Sequence, residues 1–187
     1  MSDEGIGNRR GTAASVAESV RQAIRDVPDF PQAGILFKDI TPVLADPRLF
    51  TDVTHAMAER FSDADVSHVV GIESRGFIFG APVAQHLGSA FVPARKRGKL
   101  PSRTESIEYA LEYGVAAIEM HADALGVGAR VLVVDDVLAT GGTARAACEL
   151  AERLGASVVG CSFLLQLSFL TRPEALAGRR VESLVSY

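Results

Sequence analysis

Asp135 and Asp136 end an apolar run, Val131-Leu132-Val133-Val134, and precede a loop with adjacent glycines, Gly141 and Gly142. Glycines at this offset admit positive φ, which lets successive backbone N–H groups converge on one point. A helical pattern starts near Ala144, so a helix N-terminus adds partial positive charge, and the loop residues Ala139, Thr140 and Thr143 line the same turn. The chemistry implied is phosphate binding. Two carboxylates would repel a phosphate unless they face another part of the same ligand. Ionised carboxylates only accept hydrogen bonds, so a vicinal diol is their natural partner. Diol and phosphate together describe a ribose 5-phosphate. The loop has no lysine and is therefore not the Gly-Lys-Ser/Thr nucleotide loop. An ordinary strand, turn and helix would explain neither the acid pair nor the paired glycines.

Two further clusters could act on a charged ligand. Gly71-Ile72-Glu73-Ser74-Arg75-Gly76 follows a second apolar run. Read locally, Ser74 would cap a helix while Glu73 balances Arg75. Arg95, Lys96, Arg97, Lys99 and Arg103 place five cations within nine residues of a chain whose net charge is −4. Such a run is either a solvated face or a clamp for a multiply charged anion such as a diphosphate. Arg95 and Lys99 are the first candidates for the clamp.

Four segments besides the acid and glycine loop occur in order: 30–42 (FPQAGILFKDITP), 71–77 (GIESRGF), 95–101 (RKRGKLP) and 112–114 (EYG). Together they resemble the type I phosphoribosyltransferases, which bind 5-phosphoribosyl-1-diphosphate (PRPP), and within them the adenine phosphoribosyltransferases. The resemblance implies transfer of a phosphoribosyl group to N9 of adenine, giving AMP and diphosphate. It makes Glu73, Ser74 and Arg75 the diphosphate loop, with a cis peptide between Glu73 and Ser74. It makes 29–44 a hood over the base, with Leu36, Phe37, Lys38 and Leu167 at the adenine. Phe37 would stack on the purine, although by itself it also reads as core, and Leu167 would cover the opposite face. The backbone of Leu36 would meet both the N6 donor and the N1 acceptor.

Hypoxanthine inverts that donor–acceptor pair, and each buried mispair costs roughly 1–3 kcal/mol. The family's 6-oxopurine enzymes use a lysine near the C-terminal strand, and none stands there. Glu112 and Tyr113 would belong to a lid over the reacting atoms, with Glu112 a candidate for proton handling; locally they also read as a plain loop turn. The family further implies Mg²⁺ carried on PRPP oxygens and water, and a homodimer in which the basic loop reaches the neighbouring active site. Gln166 stands where relatives often carry an acid. Rival readings are an enzyme for 6-oxopurines and a non-catalytic PRPP-sensing regulator.

Alternating elements must hold these residues. Apolar positions 16, 20, 24 and 27 predict a helix over 14–27, ended by Pro28, and 47–61 predicts another with proline in its first turn. Strand 68–72 leads to helix 76–88, strand 90–94 to a long loop, and strand 130–135 to helix 143–155 and strand 157–167. This order predicts an α/β fold, a doubly wound and mostly parallel sheet, with a small N-terminal hood and a long flexible loop around 95–121. Residues 1–11 are expected to be disordered and 12–187 to form one domain.

The chain has 187 residues, of which 48% are hydrophobic, enough for a full core. Its acidic balance argues against a nucleic-acid surface, and no apolar run reaches membrane-spanning length. No basic stretch followed by an apolar segment marks a secretory leader. Two cysteines, Cys148 and Cys161, are too few for a disulfide framework and read as buried thiols. A cytoplasmic setting is expected. The four histidines, at 55, 68, 86 and 121, lack metal-ligand spacing, so no direct metal ligand is expected.

Overall fold

The computed structural model describes residues 13–110 and 115–187. The readings for residues 1–11 and for Glu112 and Tyr113 lie outside the described residues. The chain falls into two compact units, Met1–Val53 and Thr54–Tyr187.

In the first unit α1 (Ala13–Ala23) is followed by a hairpin of β1 (Arg25–Pro28) and β2 (Leu36–Asp39), then α2 (Thr41–Ala45) and the start of α3 (Pro47–Glu59). Val16, Val20, Ile24, Ile40, Val43 and Val53 are buried. The helix predicted to reach residue 27 stops at Ala23. Val27 precedes a proline, whose ring disfavours the α region for the residue before it. The extended segment that results pairs Asp26 with Lys38, whose Nζ lies 2.6 Å from Asp26 Oδ1.

The second unit carries β3 (His68–Ile72), α4 (Gly76–Leu87), β4 (Ala90–Lys96), β5 (Thr104–Ala110), β6 (Val115–His121), β7 (Arg130–Leu138), α5 (Gly142–Arg153), β8 (Ser157–Gln166) and β9 (Val181–Ser186). They form one sheet in the order β5-β6-β4-β3-β7-β8-β9, with β4-β3-β7-β8-β9 parallel. Alternate residues of the strands face opposite helices. Val70, Ile72, Val92, Ala94, Val131 and Val133 share a cluster with Ala144, Ala147, Cys148 and Ala151 of α5. On the other face Phe91 of β4 meets Phe77 of α4 edge-on, ring centroids 5.8 Å apart. Both faces are thus covered, which is why the parallel strands read as unbroken apolar runs.

The expected long loop is largely structured. Seven residues of β5 pair antiparallel with seven of β6, and β6 joins the edge of β4 at Arg95↔Glu119 and Lys96↔Ile118. The alternation of Ile107 and Tyr109 with Glu108 supplies the strand pattern, and Ile107, Ile118 and Met120 are buried. Beyond β8, strand β9 adds a parallel edge that the sequence reading did not include.

Candidate functional site

β7 lies beside β3 in parallel, with Gly71 opposite Val134, so β3 ends beside the acids while β7 runs on to Leu138. This sets Glu73-Ser74-Arg75-Gly76 next to Asp135 and Asp136. The peptide bond between Glu73 and Ser74 is cis, as the resemblance implies. Gly76 opens α4 against the middle of β7: a Cβ placed on it would lie 2.7 Å from the Val134 carbonyl and 2.9 Å from Asp135 Oδ1. Arg75 reaches back over this junction, its Nε 2.8 Å from Asp136 Oδ2. Among the described residues Oδ2 accepts no directed hydrogen bond, so the contact is an ion pair. Asp135 Oδ1 accepts the Asp136 backbone N–H at 2.9 Å.

Burial first, and then the charge of Asp136, pushes the Asp135 carboxyl well above the ordinary aspartate range. Burial raises Asp136 as well, against the opposing pull of Arg75. Two acids held in this way attract hydrogen-bond donors and cations.

Beyond the acids the chain turns through Ala139 and Thr140, both half-buried, into α5. Gly141 has φ 86°, a left-handed conformation, and a Cβ there would lie 2.8 Å from that of Ala175. Glycine is required at this position on both counts. Gly141 is the N-cap of α5, no side chain caps it, and no acid occupies the first turn. The helix start therefore offers backbone N–H groups to an anion. The Thr143 hydroxyl lies 3.4 Å from Tyr109 Oη of β5, a neighbour that the sequence reading did not single out.

The basic segment is fastened to the same corner. Glu73 Oε1 accepts Arg95 Nη2 at 2.9 Å and Oε2 accepts Arg95 Nε at 3.1 Å, a two-point grip. Oε2 also takes the Lys96 N–H at 3.0 Å. The Arg95 guanidinium beside Glu73 holds its carboxyl below the ordinary glutamate range against the effect of burial. Arg95 Nη1 donates to the Lys99 carbonyl at 2.9 Å, while the Lys99 side chain is exposed.

The residues expected at the base are divided. Leu36, Phe37 and Lys38 lie on β2 in the first unit, with Leu36 half exposed and Phe37 packed edge-on against Phe30 at 5.1 Å between centroids. Leu167 lies in the second unit, just after β8, where its N–H donates to the Leu138 carbonyl at 2.9 Å. Glu119, buried in β6, was missed by sequence reasoning. The signal available was a lone glutamate inside Val115-Ala-Ala-Ile-Glu-Met120, an otherwise apolar strand.

Comparison with known proteins agrees with this geometry. A model of the phosphoribosyl transferase domain matches residues 39–175. The adenine phosphoribosyltransferase of Methylococcus capsulatus is 56% identical over 170 residues, covering 91% of this chain and 99% of the relative. That of Acidothermus cellulolyticus is 56% identical over 172 residues, covering 92% and 97%. Among solved structures, the adenine phosphoribosyltransferase of Rhodothermus marinus superposes with a TM-score of 0.87 at 51% identity, covering 93% of this chain and 99% of that one. The Saccharomyces cerevisiae enzyme, complexed with an imino-altritol bisphosphate and adenine, gives 0.86 at 39% identity and covers 91% and 99%.

Proposed function

This chain belongs to the phosphoribosyltransferase family, and from that premise we propose that it is an adenine phosphoribosyltransferase acting in purine salvage. It joins N9 of adenine to C1′ of PRPP, the C1′–O bond to diphosphate breaks with the electron pair going to the diphosphate oxygen, the purine gives up one proton, and AMP and diphosphate leave. The observation that carries this reading is the acid pair beside an uncapped helix start, with Arg75 already paired to Asp136.

The roles follow from charge and position. Asp135 and Asp136 accept the two ribose hydroxyls and favour the positive charge that develops at C1′. Residues 139–143, with Thr140 and Thr143 as hydroxyl donors, receive the 5′-phosphate. Glu73, Ser74 and Arg75 form the diphosphate loop, and Arg75 exchanges its carboxylate partner for the leaving group. Arg95 and Lys99 add the clamp. Leu36, Phe37, Lys38 and Leu167 address adenine, and Glu112 and Tyr113 belong to the lid, Glu112 handling a purine proton.

Among the described residues no group of three or more His, Cys, Asp or Glu side chains is placed to hold a metal. Without a direct protein ligand, a Mg²⁺ would keep its water and take its remaining oxygens from PRPP, next to the acid pair. Bound there, the cation would supply charge neutralisation of the diphosphate.

The domain reading, 12–187 as a single domain, is supported by the family match over residues 39–175. We assign a homodimer whose basic loops serve neighbouring sites and a cytoplasmic location. Two unbridged buried cysteines are consistent with that location, and no described helix is long and apolar enough to cross a membrane. The test is a product assay with PRPP, Mg²⁺ and each purine base: AMP should form from adenine, and absence of AMP would overturn the proposal.

A further inference from the structure

We propose that Glu119 is the positioning residue of the basic clamp, setting the turn 98–101 and through it the reach of Lys99. The inference rests on the assignment of Lys99 to diphosphate binding and names the group that aims it.

Outside the Asp135–Asp136 pair, Glu119 is the acidic side chain buried among the described residues. Asp136 belongs to the acid pair, and Glu119 has no part in it. A carboxylate only 4% exposed is costly unless donors surround it. The donors here come from the basic turn. Glu119 Oε1 accepts two consecutive backbone N–H groups, those of Lys99 and Leu100, each at 3.0 Å. Oε2 lies 3.4 Å from the Thr104 hydroxyl, which donates to it. Gly98 enters the turn with φ 80°, which points successive N–H groups inward at one oxygen. Burial alone would raise this carboxyl, but the N–H groups of Leu100, Gly98 and Lys99 draw it below the ordinary glutamate range.

The register completes the device. Glu119 on β6 stands opposite Arg95 on β4. Arg95, gripped by Glu73, donates to the carbonyl of Lys99, the residue whose N–H Glu119 accepts. The peptide groups on both sides of the Lys99 Cα are therefore fastened, one to Glu119 and one to Arg95. Its side chain alone is left exposed. A pinned turn fixes the origin from which the flexible Lys99 side chain reaches, and a loose turn does not.

The experiment compares wild type, Lys99→Ala, Glu119→Ala, Glu119→Gln and the double variant Lys99→Ala/Glu119→Ala. The readouts are KM for PRPP and for adenine, with thermal midpoints alongside. Lys99→Ala should raise the PRPP KM about tenfold, the lower end for a lost charge-assisted contact. Glu119→Ala should raise it by a similar factor while the adenine KM stays within about twofold. The double variant should be no worse than the poorer single variant, because the second change acts on a cation already misplaced. Glu119→Gln keeps a carbonyl oxygen for both N–H groups and should recover most of the loss.

Factors that multiply in the double variant, or an equal rise in both KM values, would overturn the proposal and leave Glu119 merely structural. If Lys99→Ala leaves the PRPP KM unchanged, the clamp assignment itself fails and the inference goes with it. If Lys99→Ala has its effect and Glu119→Ala has none, only the inference fails. Should Glu119→Ala not fold, Glu119→Gln is measured with and without Lys99→Ala. A PRPP effect that vanishes in the Lys99→Ala background supports the proposal, and one that persists overturns it.

Discussion

Gly76 and Asp135 lie so close that a Cβ on Gly76 would sit 2.9 Å from the Asp135 Oδ1 and 2.7 Å from the Val134 carbonyl. The start of α4 and residues 134–135 of β7 are thus locked together through the absence of one methyl group, and the loop that carries Arg75 inherits its position from that contact. Gly76→Ala tests the lock. Alanine would favour the helix by roughly 0.5–1 kcal/mol, whereas forcing backbone apart costs about 1–3 kcal/mol. The clash should win. We expect net destabilisation in denaturant unfolding and a rise in the PRPP KM, and a variant as stable and active as wild type would contradict the packing argument.

Asp135→Asn should separate stability from function. Asparagine keeps an oxygen for the Asp136 N–H but removes a buried charge. Losing one charge-assisted ribose contact should lower kcat/KM for PRPP by about ten- to a hundredfold, or roughly 1.5–3 kcal/mol.

Without substrate the same change should stabilise, and the sign depends on pH. The folded carboxyl titrates well above its unfolded value because of burial and the Asp136 charge. Between those two values the folded state holds a proton that the unfolded state has released, so wild-type stability falls as pH rises through the window. The uncharged amide of the variant escapes that loss. The thermal midpoint of Asp135→Asn, relative to wild type, should therefore climb from acid towards neutral pH, by about 2–4 °C for each kcal/mol. A difference that shrinks as pH rises would contradict the assignment of the buried charge.

What was legible in the sequence were the features fixed by local covalent demands. The run from Val131 to Val134 ends in acids and turns at a glycine with φ 86°, and both belong to the chain itself. Helix and strand periods also located α3, α4, α5, β3, β4, β7 and β8 to within a few residues. The failures have tertiary causes. β1 read as helix because Ile24 and Val27 continued the helical spacing, and only Pro28 and the partner strand β2 decide otherwise. Glu119 read as nothing in particular because its partners, Lys99 and Leu100, lie some twenty residues away across a hairpin. The same limit applies to Cys148 and Cys161: both read correctly as buried thiols, but nothing local says that their sulfurs are 3.5 Å apart.

Base choice gives a third test. If one backbone residue addresses N1 and N6 together, hypoxanthine mispairs at both positions. Two buried mispairs amount to about 10²- to 10⁴-fold in kcat/KM. Adenine should therefore be preferred over hypoxanthine and guanine by at least the lower figure. Comparable kcat/KM for hypoxanthine would remove Leu36 from that role.

Subunit sharing has the sharpest signature. Take one subunit carrying Arg95→Ala and another carrying Asp136→Ala, each assayed at PRPP well below its KM, where its own homodimer is strongly impaired. If the basic loop serves the neighbouring site, a mixed dimer contains one site with intact acids from the first subunit and an intact Arg95 from the second. The other site carries both defects. Activity should return to about half the wild-type value per mixed dimer, since one of two sites is whole. If each loop serves its own subunit, every site in the mixed dimer keeps one defect and no activity returns. Arg95 is held here by Glu73 of its own chain at 2.9 Å. Cross-subunit action therefore requires that grip to persist while Lys99 reaches outward, or to release when diphosphate arrives. Repeating the mixture with Lys99→Ala in place of Arg95→Ala tells whether Arg95 and Lys99 serve the same site. Recovery with both variants means that Arg95 acts with its crossing loop, itself or by bracing Lys99 through the carbonyl it holds, and recovery with Lys99→Ala alone means that Arg95 serves its own subunit's site through Glu73.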